Sequence, residues 1–352
     1  MEFTIKKRLF CFMVFITVFT AFATSDANDD TGPLVSTDWL QKNLNNPSLV
    51  ILDVRRVEEY KKGHIPGSIN LTYAAWRTHE KNLDCQLPEK DDLNDTLCST
   101  GLRKYAFVVI AGLTGSDADH VNATRVAWTL KYAGIEKPLI LDGGCNKWFQ
   151  EKRPVSELVK KPLKNYLPCK WNERVLATKQ QVKTSLEKAA IVDTRDCKLF
   201  TGEKSDPLLK RKGHIPGAYN LPYTLVFTKE GCFEKKDMLQ AKASKAVGEN
   251  KAREIIVLCC NGRFASSWWF VLSEMLEYKD VKIYDGSMEE WCDDKEAPLV
   301  EGKIWIPVKK ERQTNKSNLF HGRARPDDHA SAEQSQPCWE FTCEQDRQNK
   351  YD

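Results

Sequence analysis

Two stretches of this chain repeat each other closely enough to fix its architecture. The segment "LVILDVRRVEEYKKGHIPGSINLTY" (49–73) is echoed by "AAIVDTRDCKLFTGEKSDPLLKRKGHIPGAYNLPY" (189–223). Each holds an apolar run ending in Asp-x-Arg, then Gly-His-Ile-Pro-Gly, a small residue and Asn-Leu. A second echo follows in each half, "PLILDGGCNKW" (138–148) against "VKIYDGSMEEW" (281–291). The period is far above the roughly 20–50 residues of a solenoid, so the duplicated unit is a whole domain. A chain of 352 residues has room for two.

Within each copy the pattern reads strand, turn, short strand, then strand, loop, helix, strand and helix. "FVVIA" and "IIVLC" are continuous apolar runs of the kind buried on both faces of a sheet. After the second run, Trp268, Val271, Leu272, Met275 and Leu276 recur at helical spacing and give one apolar stripe. Strands alternating with helices predict an α/β fold with a parallel sheet covered on both sides. The domains are expected at 35–155 and 175–300. A lysine-rich linker at 156–174 separates them, and a polar extension follows at 308–352.

The first residues are of another kind. Lys6, Lys7 and Arg8 precede an apolar run of about 15 residues, short of the roughly 18–20 needed to span a bilayer. Ala21-Phe22-Ala23 then offers a cleavage site, so 1–23 reads as a secretory signal peptide and predicts an exported protein with no stable membrane anchor. Export favours disulfides. Cys11 leaves with the signal, and full pairing of Cys85, Cys98, Cys145, Cys169, Cys197, Cys232, Cys260, Cys292, Cys338 and Cys343 leaves Cys259 over. In a eukaryotic secretory path the triplets at Asn70, Asn94, Asn122 and Asn315 are glycan acceptors, of which Asn94 and Asn315 are expected to be accessible. A net charge of +4 with no Lys/Arg block argues against nucleic acid.

Asp-x-Arg, Gly-His-Ile-Pro-Gly, a cysteine at the end of a buried strand and Asp-Gly-x-x-x-x-Trp, in this order and doubled, resemble the rhodanese family, specifically its tandem two-domain sulfurtransferases. The resemblance covers residues 35 to about 300. It implies two domains, each a mainly parallel five-stranded sheet flanked by helices, with the nucleophile in the C-terminal copy. The sequence shows that asymmetry itself: the first copy is aligned with Ala111 opposite Cys259, and no cysteine lies between Cys98 and Cys145. The first copy is expected to wall the site. His64 and His214, at matching turns in an inert and an active copy, are read as structural.

The resemblance implies that Cys259 attacks the outer sulfur of a donor, keeps it as a persulfide and passes it to cyanide or a thiol. No cofactor or metal is called for, the partners are a small anionic donor and that acceptor, and a monomer is expected. A loop between a strand and a helix N-terminus is expected to lower the thiol pKa through converging backbone N–H groups. Gly262 lets that loop curl, and Arg263 supplies a cation at its rim. Cys260 and Asn261 occupy the positions where thiosulfate-specific relatives carry basic residues. Cys-Asn-Gly-Arg-Phe is not the Gly-Ser-Gly-Val-Thr loop of mercaptopyruvate-specific relatives either. Leu199 stands where some thiosulfate enzymes place an anion-binding arginine, and Lys198, one position earlier, is the candidate substitute. Arg263 tips the reading to thiosulfate, with mercaptopyruvate the alternative. Arg195, like Asp193, has two readings: an ion pair inside the domain, which is preferred, or a face turned to substrate.

Three rivals come from the residues. A cysteine phosphatase needs arginine six residues after its cysteine, and Ala265 and Ser266 stand there from Cys259 and Cys260. A secreted disulfide-stapled scaffold, or a vicinal redox pair in which Cys260 resolves an oxidised Cys259, remains open at this level.

Overall fold

The computed structural model describes residues 31–102 and 106–302. The expected leader (1–23) and the polar extension (308–352), with Cys11, Asn315, Cys338 and Cys343, lie outside the described residues.

Seven strands form in the first half: β1 (Leu34–Val35), β2 (Leu49–Asp53), β3 (Ile69–Asn70), β4 (Thr78–Glu80), β5 (Leu83–Gln86), β6 (Phe107–Ala111) and β7 (Pro138–Leu141). Five of them make a sheet of order β1-β7-β6-β2-β3 with every pair parallel. Strands β4 and β5 form a separate antiparallel arm. The second half supplies β8 (Leu176–Ala177), β9 (Ala190–Asp193), β10 (Tyr219–Asn220), β11 (Glu254–Leu258) and β12 (Asp280–Tyr284) in the order β10-β9-β11-β12-β8, again all parallel. Read backwards, the second order is the first. The residue pattern alone did not mark β1 or β8, because two residues are too few for a period to show.

The apolar runs are buried on both faces, as parallel strands must be. Along β11, Ile255 and Val257 enter a core that also contains Leu52, Val108, Trp128 and Val192, so one apolar interior runs through both repeats. Ile256 and Leu258 turn to the opposite face and a core peculiar to the second repeat; the first repeat has its own counterpart around Ile51, Val109 and Trp148. Full burial of one such Ile, Val or Leu contributes about 1.5–3 kcal/mol. The stripe from Trp268 to Leu276 is buried as well, carried by the helix Ala265–Phe270 and a π turn over Val271–Met275. That helix packs on the first-repeat helix Asp117–Tyr132. Where they meet, the buried hydroxyls of Thr124 and Ser266 are 2.8 Å apart.

Each repeat sends an arm to the other. The Leu87 N–H, just past β5, donates to Asp285 Oδ2 at 2.8 Å, and the Phe233 N–H donates to Asp142 Oδ1 at 2.8 Å. The segment after the first repeat lies back on it: Ser156 bridges to His64, the Asn165 N–H donates to the Cys98 carbonyl, and Leu167 is buried.

The two turn histidines are both buried. His64 stacks on Tyr60 and His214 on Phe200, each with ring centroids 3.7 Å apart, and each Nδ1 lies 2.8 Å from that aromatic residue's carbonyl. Burial lowers the His214 pKa.

Full disulfide pairing does not hold. Cys85, Cys98, Cys145, Cys169, Cys232, Cys259, Cys260 and Cys292 are all free thiols, and Cys197 alone of the described cysteines is disulfide-bonded. Free thiols of this kind pack as small apolar side chains, and Cys145 and Cys292 are buried in that way. Asn94 is half-buried on the helix Lys90–Ser99 and not freely accessible.

Candidate functional site

Strand register aligns the two copies and corrects the sequence alignment by one residue. Asp53 lies opposite Ala111 in the first sheet, and Asp193 lies opposite Leu258 in the second. The counterpart of Cys259 is therefore Gly112. The carbonyls of these two residues accept matching bonds, from the Cys145 N–H at 2.8 Å and the Met288 N–H at 3.1 Å. Continuous apolar runs carry no internal mark of register, so the slip was invisible in the sequence. The first copy still offers no thiol there.

Cys259 sits one residue beyond β11 and is 1% exposed. The backbone N–H groups of Ala265, Asn261 and Phe264 act on its sulfur and favour the charged form. Burial pushes the thiol pKa up, and the three N–H groups pull against it. The expected lowering is thus overridden: a neutral thiol loses little on leaving water, a thiolate loses much, and three amide dipoles do not make up the difference. The arrangement nevertheless points its donors at the sulfur, where any negative charge formed on it must be held.

Ser287 supports the same residue from the opposite side. Its hydroxyl accepts the Cys259 N–H at 3.1 Å and donates to the Tyr284 carbonyl at 2.8 Å. Its φ is +49°, a left-handed conformation rare outside glycine. The matching residue in the first repeat is Gly144, at φ +56°. Ser287 was missed from the sequence, although the contrast of Asp-Gly-Gly with Asp-Gly-Ser in the echoed motif carries the signal.

Cys260 faces elsewhere, its thiol donating to Asp206 Oδ2 at 3.3 Å. Burial first, then the neighbouring Cys259 and Asp206, raise its pKa. Gly262 has φ +80°, and a Cβ there would stand 2.4 Å from Asp285 Oδ1 and 2.6 Å from the Asp285 carbonyl oxygen. Asn261 contributes its N–H to the sulfur, while its Oδ1 is buried without a hydrogen-bond partner.

Arg263 leaves the loop toward the first repeat. It donates to the Ala118 carbonyl at 2.7 Å and Asn122 Oδ1 at 2.6 Å, and lies 4.8 Å from the Tyr73 ring centre. Burial raises the Tyr73 phenol to about 12. Arg195 is buried and bound to Asp193 through Nε at 2.9 Å and Nη2 at 2.5 Å, with a further bond to the Gly213 carbonyl. Arg55 repeats the same bonds with Asp53 and the Gly63 carbonyl. Lys198 is exposed on the short helix Cys197–Thr201. Cys259, Asn261, Gly262 and Arg263 thus share one loop, whereas Arg195 is taken up inside its own repeat.

Arg125, unmarked by any sequence motif, ties this loop to both repeats. From the helix Asp117–Tyr132 it donates to Asp285 Oδ1 at 2.6 Å, the Gly262 carbonyl at 3.3 Å and the Cys85 carbonyl at 2.6 Å. It is fully buried, stacked 4.4 Å over Trp128. Burial works against its charge, but Asp285 outweighs that and raises its pKa. Beside Arg263 a cavity of about 670 Å3 is otherwise lined by the first repeat, including Arg56, Tyr73, Arg77 and Asn122.

Both halves match the family model described as a rhodanese-like domain, over residues 36–151 and 178–294. A Mycobacterium tuberculosis protein with the provisional name of a thiosulfate sulfurtransferase is 32% identical over 280 residues, covering 76% of this chain and 96% of that one. The sulfur carrier protein TtuD of Thermus thermophilus is 30% identical over 283 residues, covering 77% and 97%. Among solved structures, wild-type EanB superposes with a TM-score of 0.68 at 22% identity, over 77% of this chain and 70% of that one. The anaerobic ergothioneine biosynthesis enzyme of Chlorobium limicola, in complex with trimethyl histidine, gives a TM-score of 0.67 at 21% identity, over 77% and 71%. These two likenesses concern the fold.

Proposed function

Because the chain belongs to the rhodanese-like domain family in both of its halves, and only the second half holds a thiol at the family's loop, we propose that it is a sulfurtransferase working through Cys259. The observation that carries this reading is a buried thiol one residue past β11, at the head of the loop into the helix Ala265–Phe270, with its N–H held by Ser287 and the Ala265, Asn261 and Phe264 N–H groups favouring a charged sulfur. The names of the mycobacterial and Thermus relatives support the same chemistry.

The proposed reaction has two balanced steps. The Cys259 thiolate attacks the outer sulfur of an anionic donor; a new S–S bond forms, the donor's bond to that sulfur breaks, and its electron pair leaves with the fragment. With thiosulfate the fragment is sulfite. A cyanide or thiolate acceptor then attacks the outer sulfur of the persulfide, and Cys259 departs as thiolate. Asn261, Phe264 and Ala265 N–H groups stabilise the negative sulfur in both states. Thiosulfate is the favoured donor because Arg263 places a permanent cation on the loop. Mass spectrometry after mixing with thiosulfate should find one added sulfur, on Cys259. An added sulfur on Cys260, or none on the loop, would refute the assignment.

A further inference from the structure

The cavity beside Arg263 is large for the chemistry just described. Thiosulfate has five atoms and cyanide two, whereas about 670 Å3 falls among pockets that enclose drug-sized organic molecules, roughly 300–1,000 Å3. Its charges are placed for an organic ion. Arg56 and Arg77 reach it from separate segments of the first repeat, and Arg263 reaches it from the catalytic loop. Glu58, Glu59 and Asp119 add three carboxylates, of which Glu59 accepts the Arg56 N–H and Asp119 the Ser116 hydroxyl. Arg56, Glu58 and Arg77 are exposed and can turn toward a ligand.

Arg263 is also the residue by which the Cys259 loop reaches this space. Cys259 does not line the cavity; Arg263 does, and it is pinned across the repeats by the Ala118 carbonyl and Asn122 Oδ1. Both pins are neutral acceptors. A carboxylate entering the cavity offers the guanidinium a charged, bidentate partner, which is the stronger bond. Differential affinity of this kind is what a ligand needs to shift a side chain between two positions.

We propose that the cavity seats the sulfur acceptor, an organic thiol bearing carboxylates and an ammonium group, and that its carboxylate draws Arg263 off Asn122 to open the way to Cys259. This rests on the reading of Cys259 as the sulfur carrier. In the transfer, the acceptor thiolate attacks the outer sulfur of the Cys259 persulfide. The bond from that sulfur to Sγ breaks, and the acceptor leaves as a persulfide while Cys259 regains its thiolate, with no net oxidation. Asn122 is a positioning residue, acting through Arg263.

The first measurement is calorimetric titration of the full chain with S-methylglutathione, a probe that cannot take sulfur and so does not depend on catalysis. It should bind, and Arg77→Gln should weaken it about tenfold, the loss of one charge-assisted hydrogen bond. The second compares two acceptors of one persulfide. Arg77→Gln should raise KM for glutathione about tenfold and for cyanide much less. Asn122→Asp, which gives Arg263 a resident carboxylate, should raise KM for glutathione with a smaller change in kcat. Absence of S-methylglutathione binding, equal affinity in Arg77→Gln, or equal losses with both acceptors would overturn the proposal. Persulfide detection on Cys259 reports the underlying reading separately, so failure of one is distinguishable from failure of the other. Arg77 is exposed, and an unchanged melting temperature would confirm that its variant folds.

Discussion

The loops after β6 and β11 leave matching strands at matching register, yet the first holds no thiol and the second holds Cys259. The second has six residues, 259–264, before its helix begins at Ala265; the first has five, 112–116, before Asp117. In the first, Ser116 caps its helix, its side chain accepting the Asp119 N–H. In the second, Phe264 holds the cap position and offers no side-chain bond. The Asn261, Phe264 and Ala265 N–H groups favour a charged Cys259 sulfur instead. The supports differ in the same sense: Gly144 beneath Gly112 has no side chain, whereas Ser287 beneath Cys259 spends backbone strain to present a hydroxyl. The common frame, the Asp-x-Arg pair with its bond to a glycine carbonyl, is the same in both. What the pair teaches is that the shared motifs build the domain, and the departures from them build the site.

The sharpest way to break this contrast is to exchange the nucleophile. Cys259→Ser should reduce persulfide formation below detection, whereas Cys260→Ser should keep a measurable part of it. Gly112→Cys on the Cys259→Ser background should not restore sulfur uptake, because the loop is one residue shorter, its helix start is already capped by Ser116, and an added Cβ would stand 3.2 Å from Val54 Cγ2. Recovered activity would show that a thiol alone separates the repeats.

A second test attacks the joint between them. Arg125→Met leaves Asp285 buried without its cation, and loss of one partner of a buried pair costs about 3–5 kcal/mol. Urea unfolding should show that loss; a change under 1 kcal/mol, roughly the value of an exposed pair, would mean that the arm and loop do not depend on Arg125.

The pH dependence of the active loop is the third. Burial holds the Cys259 pKa above its ordinary value, so the thiol is favoured at neutral pH and the reactive thiolate grows as pH rises. The rate of persulfide formation should climb about tenfold per pH unit from pH 7 to 9. A plateau reached below pH 7 would show that the three N–H donors outweigh burial.

The smallest effect should come from Ser287. Ser287→Gly relieves the left-handed strain while losing the bond to the Cys259 N–H, so stability should move by no more than about 1 kcal/mol while sulfur transfer falls a few-fold. Ser287→Ala keeps the strain and loses the bond, and should cost about 1–3 kcal/mol. Equal stability of the two variants would remove strain from the account.

The sequence alone determined the duplication, the alternation of strands and helices, the buried runs and the loop that holds the cysteine pair. Each of these is written in local periodicity or in motifs repeated within the chain. It also contained the choice between the repeats, since no thiol stands in the first loop. Only the tertiary structure decided the register that sets Gly112 against Cys259, because apolar runs slide past one another without a change of pattern. It alone decided that Arg263 reaches Asn122 in the other repeat, that Arg125 joins Asp285 across 160 residues of chain, and that Arg195 is bound to Asp193 as Arg55 is to Asp53. The direction of the Cys259 pKa belongs with these. It depends on how completely the sulfur is removed from water, a property of the packing of both repeats that no local stretch of sequence contains.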